Sequence, residues 1–280
     1  MSSYTTLISP SDLFAHHSEP DWAILDCRFD LKDPAWGEAA YRQGHISGAV
    51  YAHLDRDLSG PRTADNGRHP LPPVEAIAAR LSDWGISGST QVVVYDQVGG
   101  AYAARLWWLL RFLGHNAVAV LNGGLPAWQS AGYPLVAGVE TRPTADFHPN
   151  PHGDMLVTTA EIERLHTDPA YRLIDARAAE RFRGEVEPID PVAGHIPGAL
   201  NRFHGQNLAK TGQFLAPQVL RRQFSDLLGP LPPENAVVYC GSGVTSCHHL
   251  LAMEHAGLPG ARLYLGSWSE WITDPKRPIS

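Results

Sequence analysis

The strongest constraint on this chain is that it is written twice. Ile24-Leu25-Asp26-Cys27-Arg28, followed by Gly44-His45-Ile46-Ser47-Gly48-Ala49, returns as Leu173-Ile174-Asp175-Ala176-Arg177, followed by Gly194-His195-Ile196-Pro197-Gly198-Ala199. Val92-Val93-Val94-Tyr95-Asp96 returns as Ala236-Val237-Val238-Tyr239-Cys240, and Leu121-Asn122-Gly123 with Trp128 returns as Tyr264-Leu265-Gly266 with Trp271. Ordered blocks at a nearly constant offset mean two copies of one structural unit. The 280 residues divide into an N-terminal domain over 1–136, a linker over 137–156 and a C-terminal domain over 157–280. The linker is read from Pro134 to Pro151, where Gly138, Pro143 and Pro149 interrupt any apolar periodicity. Each half is long enough to bury a core of its own.

Within each copy, short β-branched runs alternate with helical patterns. Ile24–Asp26, Val92–Tyr95 and Val118–Leu121 read as strands, and so do Arg172–Asp175, Ala236–Tyr239 and Arg262–Tyr264. Val74–Gly85, Ala101–Leu113, Pro217–Leu228 and Thr245–Ala256 carry apolar residues at helical spacing, and Gly85, Gly114, Gly229 and Gly257 stand where helices stop. Alternating strands and helices predict an α/β fold: two tandem domains, each a mainly parallel sheet with helices on both faces. Active sites in such sheets lie beyond the carboxyl ends of the strands.

Composition removes several function classes. The net charge of −7 argues against a nucleic-acid or anionic-membrane binder, which needs clustered Lys and Arg. No apolar run reaches the roughly 18 residues of a membrane span. Met1-Ser2-Ser3-Tyr4-Thr5-Thr6 lacks the basic and apolar regions of a signal peptide. Three cysteines, Cys27, Cys240 and Cys247, cannot make a disulfide framework at this length, so a reducing cytoplasm is expected.

Cys240 falls at the end of a predicted strand, before Gly241-Ser242-Gly243-Val244-Thr245 and an apolar helix. Two glycines let the backbone curl its N–H groups inward, and the helix aims its N-terminus at the same place. Both favour an anion, so the thiol should ionise at neutral pH and act as a nucleophile, against the alternative of a buried core cysteine. The first copy has Asp96 there, followed by Gln97-Val98-Gly99-Gly100. A carboxylate cannot be the same nucleophile, so the first loop is predicted to be inert.

These residues resemble the two-domain rhodanese sulfurtransferases over nearly the whole chain. The resemblance is carried by the paired Gly-His-Ile blocks, by Arg181-Phe182-Arg183-Gly184 and by the Cys240–Thr245 loop. Family members that use 3-mercaptopyruvate have such an uncharged loop, whereas thiosulfate-using members have Arg and Lys where Gly241 and Ser242 stand. The resemblance implies that Cys240 takes sulfur from 3-mercaptopyruvate as a persulfide, releases pyruvate, and passes the sulfur to a thiol or to cyanide, without metal or organic cofactor. The acceptor would be a small thiol or a thioredoxin-like protein, and the enzyme a monomer. The N–H groups of Gly241, Gly243, Val244 and Thr245 would hold the persulfide. The resemblance also implies a proton relay of Ser242, His69 in His69-Pro70-Leu71-Pro72, and an upstream aspartate. Asp57 is the first choice for it and Asp55 the second. Arg181 matches the first substrate-binding arginine. A second is expected nine residues later, but position 190 is Asp, and Arg183 is the candidate for its part.

Other residues read as structural. Cys27 and Cys247 fit small buried positions, and His45, His195, Asp26-Arg28 and Asp175-Arg177 recur in both copies, including the one without a nucleophile. The pairs His16-His17 and His248-His249 lack zinc-ligand spacing. A cysteine phosphatase needs an arginine six residues after the nucleophile, where this chain has Ser246. Two alternatives stay open: a thiosulfate:cyanide sulfurtransferase, and a persulfide carrier or binding module without turnover.

Overall fold

The computed structural model describes residues 3–280; Met1 and Ser2, part of the N-terminal stretch considered above, lie outside them. The chain folds as two compact units. The first holds residues up to 60, 72–152 and 208–214; the second holds 61–71, 153–207 and 215–280. Two segments thus group with the unit other than the one their sequence position suggests: Pro61–Leu71 with the second, Leu208–Phe214 with the first.

The first unit contains β1 (Leu7–Ile8), β2 (Trp22–Asp26), β3 (Ala49–Tyr51), β4 (Gln91–Tyr95) and β5 (Val118–Leu121), all parallel, in the order β1-β5-β4-β2-β3. The second contains β6 (Leu156–Val157), β7 (Arg172–Asp175), β8 (Leu200–Asn201), β9 (Ala236–Tyr239) and β10 (Arg262–Tyr264), parallel in the matching order β6-β10-β9-β7-β8. The repeat seen in the sequence is a repeat of topology.

The central strands read as unbroken apolar runs because helices cover a parallel sheet. Helix Ala103–Phe112 packs on β4 and β5, and helix Ser246–His255 packs on β9 and β10. The four glycines expected to stop helices, Gly85, Gly114, Gly229 and Gly257, all have positive φ. Each sheet has its own core: Ile24, Val93, Leu121 and Trp128 in the first unit, Leu173, Val237, Trp268 and Trp271 in the second.

Residues 137–152, assigned to a linker, are irregular but fixed to the first unit. Phe147 is buried, and the N–H groups of Ala145, Asn150 and His152 donate to the carbonyls of Ser82, Leu113 and Phe112. Strand β6 begins at Leu156, the last linker position.

The recurring pairs are structural. Arg28 forks onto Asp26 and donates to the Gly44 carbonyl; Arg177 does the same with Asp175 and Gly194. Each ties a strand end to its Gly-His-Ile turn. In that turn the His45 and His195 Nδ1 atoms lie 2.8 Å from the Tyr41 and Phe182 carbonyl oxygens. No helix among the described residues is long and apolar enough to cross a membrane.

Candidate active site

The site grows from the end of β9. Val237, Val238 and Tyr239 are buried, and Cys240 is the first residue beyond them. Its backbone is fixed on both sides: the N–H donates to Ser267 Oγ at 3.1 Å, and the carbonyl accepts from Trp268 N–H at 3.0 Å. The Gly241 carbonyl accepts from Ser269 N–H at 2.9 Å. The loop therefore hangs on the turn at Ser267–Trp271. Ser267 has a φ of 56°, uncommon for a residue with a side chain, and its Oγ donates to the Tyr264 carbonyl at 3.0 Å. Gly243 has a φ of 76°, and a Cβ there would overlap the Leu265 carbonyl oxygen.

The curled loop changes the thiol. Burial opposes ionisation of Cys240, but hydrogen bonds outweigh it, coming from the hydroxyls of Thr245 and Ser246 and from the N–H groups of Ser242 and Ser246. The thiol is held below its ordinary value. Ser246 Oγ lies 3.5 Å from the sulfur, and helix Ser246–His255 begins there with its positive end toward the thiolate. Cys27 is the opposite case: burial, then the carboxylates of Asp26, Asp96 and Asp57, push its thiol up. Cys247 is buried, with its sulfur 3.4 Å from the Gly243 carbonyl oxygen.

Ser242 Oγ lies 2.7 Å from His69 Nδ1, and both residues are buried. His69 reaches the loop because residues 61–71 belong to the second unit. Cys240, Ser242 and His69 thus come together. Asp57 belongs to the first unit, on the turn Leu54–Asp57 that also carries Asp55. Its carboxylate accepts from His53 N–H at 2.8 Å and pairs with Arg56 and Arg80 at 3.4 and 3.3 Å.

Arg181, on the turn Ala179–Phe182, donates through Nε and Nη2 to Glu187, and through Nη2 to Asp190 at 3.2 Å. Arg183 lies on the exposed face, forked onto Glu185 at 2.7 and 2.9 Å. Sequence reasoning missed Arg68, whose guanidinium pairs with Asp190. It also missed Ser246 as a donor to the nucleophile, having used that position only to exclude a phosphatase. The adjacency of Arg68 to His69 was the one available signal for the first.

In the first unit Asp96 fills the corresponding loop. Its Oδ1 accepts from Val98 and Gly100 N–H at 2.8 and 2.9 Å, and its Oδ2 from Tyr102 and Ala103 N–H at 2.8 and 3.0 Å. The carboxylate occupies its own anion cradle. His248 and His249 are also internally engaged: both Nδ1 atoms lie within 3.0 Å of Asn207 Nδ2, and His249 Nε2 is 2.6 Å from the Arg202 carbonyl oxygen.

The rhodanese-like domain model matches residues 9–131 and again 158–274. The chain belongs to the rhodanese-like family. Among its relatives, a Pseudomonas aeruginosa protein named "Probable 3-mercaptopyruvate sulfurtransferase" is 50% identical over 98% of this chain and 97% of its own length. A Mycobacterium tuberculosis protein named "Putative thiosulfate sulfurtransferase SseB" is 42% identical over 92% of this chain and 90% of its own. The crystal structure of the 3-mercaptopyruvate sulfotransferase SseA from Escherichia coli superposes with a TM-score of 0.82 at 30% identity, covering 95% of this chain and 100% of that one.

Proposed function

We propose that this sulfurtransferase takes its sulfur from 3-mercaptopyruvate and carries it as a Cys240 persulfide. The observation that carries the reading is a lowered thiol in a loop whose donors to sulfur are neutral, with Ser242–His69 beside it and Arg181 on the same unit. The Cys240 thiolate attacks the substrate sulfur. An S–S bond forms, the C–S bond breaks, and its electron pair passes to carbon as pyruvate enolate. The proton that starts on the substrate thiol reaches that carbon through Ser242 and His69, giving pyruvate. The N–H groups and hydroxyls around the sulfur then hold the persulfide anion. Asp57, with Asp55 as the alternative on the same turn, is the acid that the family resemblance adds to this proposal.

A thiol, small or on a thioredoxin-like protein, or cyanide removes the outer sulfur and regenerates the thiolate. Three free cysteines, all buried, suit a reducing cytoplasm, and the protein is proposed to act there as a monomer. The comparison that tests the reading is kcat/KM for 3-mercaptopyruvate against thiosulfate, each with a thiol and with cyanide. A preference for 3-mercaptopyruvate is expected, with pyruvate formation lost in Cys240→Ser. A thiosulfate preference would support the activity named for the mycobacterial relative.

A further inference from the structure

We infer that Arg68 is a second anion-binding arginine of this site, and that Asp190 sets the charge the pair of arginines presents, favouring a singly charged carboxylate donor over a dianion. The identity of the donor rests on the reading above; the anion site does not. Arg68 and the nucleophile loop share one anchor: Ser269 Oγ accepts from Arg68 N–H at 3.0 Å, and Ser269 N–H donates to the Gly241 carbonyl at 2.9 Å. A Cβ built on Gly241 would lie 2.9 Å from Arg68 Nη2 and 3.6 and 3.7 Å from the two terminal nitrogens of Arg181. Two guanidiniums therefore border the residue next to the nucleophile, and the absence of a side chain there lets Arg68 come close.

The acids stand behind the bases. The carboxylate of Asp190 bridges Arg68 Nη1 and Arg181 Nη2, and Glu187 takes the Nε side of Arg181. The Asp190 and Glu187 side chains are 2% and 4% exposed, whereas those of Arg68 and Arg181 are 15% and 16%. The accessible part of the cluster is thus cationic. Arg68 Nε is buried without a hydrogen-bond partner among the described residues, so its donors are not exhausted. Two guanidiniums and two carboxylates sum to no net charge. Against that neutral frame the Cys240 thiolate repels a dianion about twice as strongly as a monoanion. Asp190 acts through the arginines and is a positioning residue.

The test uses the full chain and two alkylating probes of Cys240, anionic iodoacetate and neutral iodoacetamide, at one pH. Their rate ratio reports the cationic field at the nucleophile and needs no sulfur substrate. Arg68→Gln is expected to lower the ratio about tenfold, the size of one charge-assisted hydrogen bond. Arg68→Lys keeps the charge and should keep the ratio while raising KM for 3-mercaptopyruvate, because the fork is lost. Asp190→Asn should raise the ratio and should lower KM for thiosulfate more than it changes kcat. An unchanged ratio in Arg68→Gln, or a ratio lost equally in Arg68→Lys, overturns the role of Arg68. A ratio in Asp190→Asn that stays level or falls overturns the role of Asp190. If the ratios move as expected while the wild type yields no pyruvate, the substrate reading fails and the anion site stands.

Discussion

Ser242 Oγ and His69 Nδ1 lie 2.7 Å apart, although 173 positions separate the two residues in the chain. On the mechanism proposed above, a serine two residues past the nucleophile and a histidine held on it form one proton path that neither residue supplies alone. His69→Ala and Ser242→Ala should each slow pyruvate release from 3-mercaptopyruvate about a hundredfold or more, the usual scale of general acid–base catalysis. The double variant should be little worse than either single one, because both break the same relay. Steady-state kcat for the three variants checks this; additive losses would separate the two residues.

The lowered thiol of Cys240 has a definite sign in pH. A thiol held below its ordinary value keeps more of its thiolate as pH falls than a free thiol does, and its reactivity falls as pH drops through that lowered value. Iodoacetamide should therefore modify Cys240 well below the free-thiol pKa of about 8.5. Thr245→Val with Ser246→Ala removes two hydroxyl donors and leaves burial unopposed by them, so the profile should move to higher pH. Cys27, pushed up by burial and by neighbouring carboxylates, should stay unmodified in the native protein at pH 7. Mass spectrometry of the alkylated protein across pH reads both outcomes.

Asp96 is predicted to serve stability rather than turnover. Its carboxylate satisfies four N–H groups of the loop and first turn of helix Ala103–Phe112, those of Gly100 and Ala103 buried and those of Val98 and Tyr102 partly buried. Asp96→Ala leaves those donors without their acceptor, at roughly 1–3 kcal/mol for an unsatisfied buried group. A lowered melting temperature is expected, with kcat per folded molecule unchanged well below it. A selective loss of kcat would instead give the first copy a part in the reaction.

The repeat, the central strands and four helix stops were legible because each leaves a local mark: an apolar run, a helical period, or a glycine in the left-handed region. Strands β1, β6 and β8 have two residues each, too few to show a period. Cys240 was legible for the same local reasons, since strand end, glycine loop and helix start are contiguous. Arg68 was not. Its partner Asp190 is 122 positions away, and nothing in Gly67-Arg68-His69 shows that residues 61–71 group with the second unit. The sequence also drew attention to Arg183 at a gap in the expected pattern, whereas the structure turns Arg183 toward Glu185.

The narrowest demand in the loop is at Gly243. Its φ of 76° is a conformation that side chains rarely adopt, and a Cβ would meet the Leu265 carbonyl oxygen. Gly243→Ala must therefore move either its own backbone or that of Leu265, at the end of β10. Either shift disturbs Ser242 on one side and the Ser267–Trp271 turn on the other, and both hold the nucleophile loop. Turnover should fall by orders of magnitude while much of the fold survives, because misplacing reacting groups by about 1 Å can cost a hundredfold. Gly241→Ala should be milder: its φ is not left-handed, and the nearest obstacle is the end of the Arg68 side chain, which can give way. Its cost should appear mainly in KM, through the displaced guanidinium. Measured kcat and KM for the two variants, alongside their melting temperatures, decide whether the loop fails at the nucleophile in one and at the substrate anion in the other.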